Sequence, residues 1–198
     1  MLKRSLPFAL FALLLATVFH AGAQDAGKQD SGKKEDAKYS NPTYVPTADE
    51  VINKMFEMAK VNKNDVIFDL GCGDGRILYM AAQRFGSRGV GLELNPVRIR
   101  EAMDQAEKYK VGTLVEIRHG DALKVKDISD ATVVALYMFP EFLDLWFPIA
   151  KEKLKPGTRI VSHDYKWTNG WEPTAEETVK SAHRDNHRAI LWIVPEKK

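Results

Sequence analysis

The chain has a single cysteine in 198 residues. Cys72 has no partner within the chain, so a small scaffold stapled by internal disulfides is excluded. Long apolar runs are scarce too. The one candidate, Leu6 to Phe19, falls short of the roughly 20 residues that a permanent spanning helix needs. Charge of one sign is also missing. Lys and Arg total 29 against 27 Asp and Glu, a net charge of +2. No internal repeat is visible, which excludes solenoids and propellers.

What the amino terminus does contain has the layout of an export signal. Lys3 and Arg4 precede the apolar run, and Ala21-Gly22-Ala23 supplies the small residues a signal peptidase requires. We expect residues 1–23 to be a cleavable signal peptide and the protein to be exported, periplasmic or secreted. An uncleaved signal acting as a membrane anchor is the alternative. No cysteine follows the run, so a lipid-anchored form is excluded. Cleavage removes two positive charges and no negative ones, taking +2 to 0, so the mature chain has no basic excess. A nucleic-acid surface needs clustered Lys and Arg on the folded part, and none is expected here. Residues 24–41 contain almost no large apolar side chain and read as a disordered polar linker. The folded domain is expected over 42–198, with no membrane span in the mature form.

Within it, apolar periodicity alternates between strand and helix. Thr47 with Glu50 has capping-box spacing and opens a helix to about Lys60. Strand-like runs follow at 65–70, 89–93, 114–118, 131–137 and 159–162, with helices at 76–85, from Asn95-Pro96 to about Lys110, and at 141–154. Two further strands, 178–183 and 188–194, are joined by a polar turn. This pattern predicts an α/β, Rossmann-like, doubly wound sheet of seven strands, mostly parallel, with a C-terminal antiparallel hairpin.

Three signals sit at successive strand ends. Asp69-Leu-Gly71-Cys-Gly73-Asp74-Gly75-Arg76 follows the first strand and opens a helix, where an α/β sheet binds its ligand. Its glycines let the chain turn and a ligand approach closely. A dinucleotide fingerprint is spaced G-x-G-x-x-G to receive a pyrophosphate. Here the spacing is G-x-G-x-G, and Asp69 and Asp74 would repel phosphate but attract the ammonium and sulfonium of S-adenosylmethionine. Glu93, ending the second strand, can accept from ribose hydroxyls. Gly120-Asp121-Ala122, after the third, offers an acceptor and backbone to an adenine edge. Ordinary turn chemistry remains the alternative for that last segment.

DLGCGDGRI, GVGLELNP and GDA resemble the cofactor motifs of class I S-adenosylmethionine-dependent methyltransferases. The segment Tyr44 to Thr47 (YVPT), with DLGCGDGRI and ELNP, resembles a branch containing lysine methyltransferases of the ATP synthase c-subunit type. LKPGTRIVSHDY, Trp171 and LWIVP resemble exported bacterial members. The resemblance implies that Asp69, Gly71, Gly73, Asp74, Gly75, Glu93, Asp121 and Ala122 hold the cofactor. It also implies that Tyr44 and Thr47 cover its methionine end. Enzymes that methylate nucleobase amino groups often carry an acidic residue or Asn, two prolines and an aromatic after strand four. Tyr137-Met-Phe-Pro140-Glu141 stands here instead.

The acceptor is expected to be a protein side chain, with lysine the candidate, or a small molecule. Tyr137, Glu141, His163 and Asp164 are the catalytic candidates: the acids to hold an ammonium, His163 to remove a proton. Structural roles for Tyr137, His163 and Asp164 stay open. His163, Asp164, His183 and His187 lack any recognised metal-ligand spacing, and no metal is expected. Trp167 and Trp171 either lid the substrate side or cover the end of the sheet. A non-catalytic cofactor- or nucleotide-binding module of the cell envelope is the alternative function. It is motivated by the lack of an evident cofactor supply outside the cytoplasm.

Overall fold

The computed structural model describes residues 44–196. The expected signal peptide and the whole of the expected linker lie outside them. Among the described residues no helix is long and apolar enough to cross a membrane.

Seven strands form one sheet: β1 (Val66–Leu70), β2 (Arg88–Glu93), β3 (Val115–His119), β4 (Val133–Leu136), β5 (Arg159–His163), β6 (Ala175–Val179) and β7 (His187–Ile193). Their order is β3-β2-β1-β4-β5-β7-β6. β1 to β5 run parallel, while β7 pairs antiparallel with both β5 and β6. The expected sheet and terminal hairpin are therefore present.

Alternation along the central strands sorts side chains to two faces. Ile67, Val133, Ala135, Val161 and Leu191 pack against α1 (Asp49–Ala59) and α2 (Arg76–Phe85). Phe68, Val134, Leu136, Ile160 and Trp192 pack against α4 (Pro140–Lys153). α3 (Pro96–Lys108) starts as expected, with Pro96 in the first turn and the Asn95 side chain accepting from the Val97 N–H. It sits beside α2, where Tyr79 and Tyr109 stack at 4.4 Å between ring centroids.

Two expectations fail locally. The capping box does not form: α1 begins after Ala48, which makes no side-chain cap. Thr47 is instead drawn into a buried contact with His163, which a local motif cannot foresee. The hairpin also begins earlier than its apolar pattern suggests. β6 is an edge strand whose Glu176 and Glu177 face solvent, and the residues after Val179 form the turn.

Strand order reverses between β1 and β4, since β2 lies on one side of β1 and β4 leads away on the other. The carboxyl ends that meet at this switch point are where an open α/β sheet leaves a crevice. By contrast, a hollow between Asn64, Arg88, Thr132 and Arg159 lies at the opposite, amino-terminal ends of the strands. Beside it a structural clamp joins Asp65 to Arg159 and Thr132.

Candidate active site

The loop between β1 and α2 turns through three glycines with positive φ: Gly71 at 81°, Gly73 at 54° and Gly75 at 75°. A Cβ on Gly75 would stand 3.0 Å from the Ala102 Cβ, so this glycine sets how closely α3 approaches. Gly73 lies under the Tyr44 ring, with which any added Cβ would collide. The Arg98 guanidinium covers that ring at 4.1 Å from its centroid. The Tyr44 hydroxyl is pushed up to about 12, by burial first and by Asp74 second.

Asp69, next to last in β1, lies just before this loop. It is 3% exposed, and among the described residues no hydrogen bond reaches its carboxyl group. Burial, then Glu93 and Asp74, push its pKa up to about 8. Asp74 stands differently. Its carboxylate accepts from Arg76 Nη2 at 2.8 Å and from Nε at 3.1 Å. Burial pushes its pKa up, but the hydrogen bonds and charge of Arg76 prevail and hold it low. The two aspartates thus differ: Asp74 is paired with Arg76, while burial of Asp69 favours its protonated form until a cation arrives.

Glu93 ends β2 and turns back into the loop. Its Oε2 accepts from Gly73 N–H at 2.9 Å, and its Oε1 accepts from Leu94 and Asn95 N–H at 2.8 Å each. A carboxylate offers about four acceptor positions, so roughly one stays open. Asp121 follows β3. Its Oδ1 accepts from Leu123 N–H at 2.9 Å to start the turn Ala122–Lys124, and its Oδ2 lies 3.5 Å from Lys124 Nζ. Cys72 packs its sulfur toward Gly91, and burial raises its thiol pKa far above the reactive range.

At the ends of β4 and β5 the rings gather. Tyr137 stacks on His163 at 3.9 Å and faces Tyr165 at 6.0 Å, while Phe139 meets Tyr165 at 5.4 Å and is 53% exposed. Glu141 is exposed in the first turn of α4. Among the described residues it has no ion-pair partner.

Two expected catalytic groups are otherwise committed. Asp164 accepts from Arg184 Nη2 at 2.6 Å and from Arg188 N–H at 2.9 Å. His163 is 1% exposed and enclosed between Thr47 and His187. Burial pushes its pKa down to about 4. His163, Asp164 and His187 bring ligand atoms within 4.8 Å of one another. The bound Arg184 guanidinium opposes a cation at that spot. His183 stands apart, exposed in the β6–β7 turn. Trp167 donates its indole N–H to the Leu143 carbonyl at 2.6 Å and packs edge-on against Trp192 at 4.6 Å. Trp167 and Trp171 therefore cover the end of the sheet and form no lid.

Sequence reasoning missed Arg76, Arg98 and Ser181. Arg76 closes the motif already quoted and was legible as a charge beside Asp74. The other two act only through distant contacts.

The loop fits a compact cationic ligand. Glycines open its backbone, Asp69 holds a buried carboxyl without a partner among the described residues, and Glu93 keeps an acceptor free. Known proteins agree. The ANTKMT methyltransferase domain matches residues 69–175. A protein-lysine N-methyltransferase of Saccharolobus islandicus is 41% identical over 156 residues, spanning 78% of this chain and 95% of that protein. The solved structure of an RNA methyltransferase of Salinibacter ruber, in complex with S-adenosyl-L-homocysteine, aligns with a TM-score of 0.72. It is 40% identical and covers 78% of this chain and 96% of that one. A methyltransferase of Thiobacillus denitrificans, 21% identical with a TM-score of 0.55, covers 65% of this chain and 52% of that one and shares the fold.

Proposed function

The chain belongs to the ANTKMT methyltransferase domain family, making it a class I S-adenosylmethionine-dependent methyltransferase, and on that premise we propose that it methylates lysine side chains of proteins. The observation that carries this reading is the aromatic ridge of exposed Phe139 with half-buried Tyr137 and Tyr165 beside the glycine loop. Ring faces attract an ammonium group and pack along a lysine's aliphatic stem. Exposed Glu141, two residues from Phe139, adds attraction at the rim. The Saccharolobus relative, a protein-lysine N-methyltransferase, supports the same acceptor class.

The cofactor supplies a methyl group activated on a sulfonium sulfur. Asp69 is assigned its ammonium, Glu93 the ribose hydroxyls, and Asp121 with Ala122 the adenine edge. Gly71, Gly73 and Gly75 make room for it, and Tyr44 and Thr47 close over its methionine end. Asp74 acts indirectly by holding Arg76, which donates to the Thr47 carbonyl at 3.1 Å. Tyr137, Phe139 and Tyr165 orient the acceptor nitrogen, and most of the rate gain is assigned to that positioning. His163 and Asp164 are committed elsewhere, so the acceptor's proton is assigned to solvent, with Glu141 at the rim.

The test is transfer of a labelled methyl group by the full chain to lysine peptides, arginine peptides and RNA, with the product read by mass spectrometry. Methyl-lysine is the expected product, and Phe139→Ala should raise the peptide KM about three- to tenfold, the loss of one cation–π contact. Label in RNA alone, the substrate class named for the Salinibacter relative, would overturn the lysine assignment.

Export is the second part of this reading. It rests on Lys3-Arg4, the apolar run and Ala21-Gly22-Ala23. Sequencing the protein recovered from its native cells should find Gln24 first, in the extracytoplasmic fraction. An intact Met1 on a cytoplasmic protein would reject it.

A further inference from the structure

Behind the aromatic ridge, four buried polar residues form a continuous hydrogen-bonded chain. Ser181 Oγ lies 3.0 Å from His187 Nε2, His187 Nδ1 lies 2.8 Å from His163 Nε2, and His163 Nδ1 lies 3.3 Å from Thr47 Oγ1. All four residues are at most 9% exposed. Thr47, Ser181 and His187 fall outside the segment 69–175 that defines the family match.

Valence gives the chain a direction. Ser181 Oγ accepts the backbone N–H groups of His183 and Arg184, each at 3.2 Å. Those two bonds fill its acceptor positions, so its own hydrogen must be donated. The Arg184 carbonyl, which accepts the Ser181 N–H at 2.8 Å, is a second acceptor within reach at 3.3 Å, but His187 Nε2 is closer at 3.0 Å. The hydroxyl therefore donates to the nearer His187 Nε2. Neutral His187 then carries its proton on Nδ1 and donates to His163 Nε2. Neutral His163 carries its proton on Nδ1 in turn and donates to Thr47 Oγ1. Asp164 Oδ2 already accepts from Arg184 and lies 3.5 Å from His163 Nε2, so it is a poorer partner for that nitrogen than His187 Nδ1 at 2.8 Å. At the far end, the Thr47 hydroxyl hydrogen stays uncommitted among the described residues.

We propose that Ser181, His187 and His163 act as positioning residues that hold the Thr47 hydroxyl as a hydrogen-bond donor toward the methionine end of the bound cofactor. This rests on the assignment of Thr47 to that end. Thr47 is tied to the glycine loop independently, through the bond from Arg76 to its carbonyl. The chain thus lets the C-terminal hairpin act on the cofactor site without touching it. It also holds the imidazole face against which Tyr137 stacks.

Nitrogen NMR of the full chain, without cofactor, reads the tautomers directly. Both His163 and His187 should be Nδ1–H. Ser181→Ala should reverse both to Nε2–H, turning the Thr47 hydrogen inward. Calorimetric affinity for S-adenosylmethionine should then fall about three- to tenfold, the usual worth of one hydrogen bond. Ser181→Thr should restore it. Thr47→Val should weaken binding to the same extent, Thr47→Ser should not, and the double variant should be no worse than either single change. Nε2–H on His163 in the unmodified protein overturns the proposal. So does unchanged affinity in Ser181→Ala when Thr47→Val is impaired. Unchanged affinity in Thr47→Val defeats the placement of Thr47 at the cofactor and the proposal with it, while the tautomers would still report the chain itself. If Ser181→Ala fails to fold, the Thr47 pair and the tautomers of the unmodified protein decide.

Discussion

Asp69 in β1 and Glu93 at the end of β2 flank one glycine loop, yet their surroundings give them different work. Glu93 is held by three backbone N–H groups and keeps acceptor capacity for a neutral diol. Asp69 has burial and two neighbouring carboxylates against it, and its pKa rises to about 8. A cation bound to it must displace its proton, so cofactor affinity should rise with pH and level off above about 8. The ceiling on that rise is about tenfold per pH unit. Asp69→Asn should bind more weakly and lose the pH dependence; titration calorimetry across about pH 6 to 9 checks both. An affinity that is flat with pH would mean Asp69 does not meet the cation. Glu93→Ala should weaken binding at least about tenfold, or about 1.4 kcal/mol, by removing the ribose acceptor and loosening the loop it ties. Both residues were legible in the sequence, because each ends a recognisable strand. The charge of Arg76 was legible too, but its pairing with Asp74 was not, since charges two residues apart can point to different partners.

At the scale of elements, the α2–α3 contact is set by a missing side chain. Gly75 has φ of 75° and lies against Ala102, with only 3.0 Å to its Cβ from any added methyl. Gly75→Ala should therefore cost about 1–3 kcal/mol from strain and overpacking together, read as a lower denaturant midpoint. Asn95→Ala removes a single cap at the start of α3 and should cost about 1 kcal/mol. A cost for Gly75→Ala well below about 1 kcal/mol would mean that Gly75 is not under the strain argued here. Most strands and helices could be read within a residue or two, because burial on both faces forces nearly continuous apolar runs. β6 escaped because an exposed edge strand needs no such run. α1 started late because Thr47 gains more from a buried histidine than from its own helix.

For the whole molecule, acid should be the weak side. His163 is held neutral by burial down to about 4, with Asp164 opposing the shift and His187 and Arg184 adding to it. In the unfolded chain it titrates near its ordinary value of about 6.5. A lowered histidine contributes stability above its unfolded pKa and loses it as pH falls toward the folded one. Asp65 works in the same direction at lower pH. Burial raises its pKa, but Thr132 and Arg159 outweigh that and hold it low. The thermal midpoint should thus fall as pH drops from about 6.5 toward 4, and His163→Gln should flatten that limb. A midpoint constant down to about pH 5 would contradict a buried neutral imidazole.

The sequence alone determined the seven-strand sheet and the location of its ligand crevice. Its order of strand, glycine loop and terminal carboxylate is local, and periodicity and spacing record local geometry. Only the tertiary structure decided which polar groups are free. Thr47 meets His163 across 116 positions of sequence, and His163 meets His187 across 24. Trp167 finds its carbonyl on α4 rather than a substrate. Partner choice at such separations depends on which elements the sheet order brings together, and no local pattern carries that.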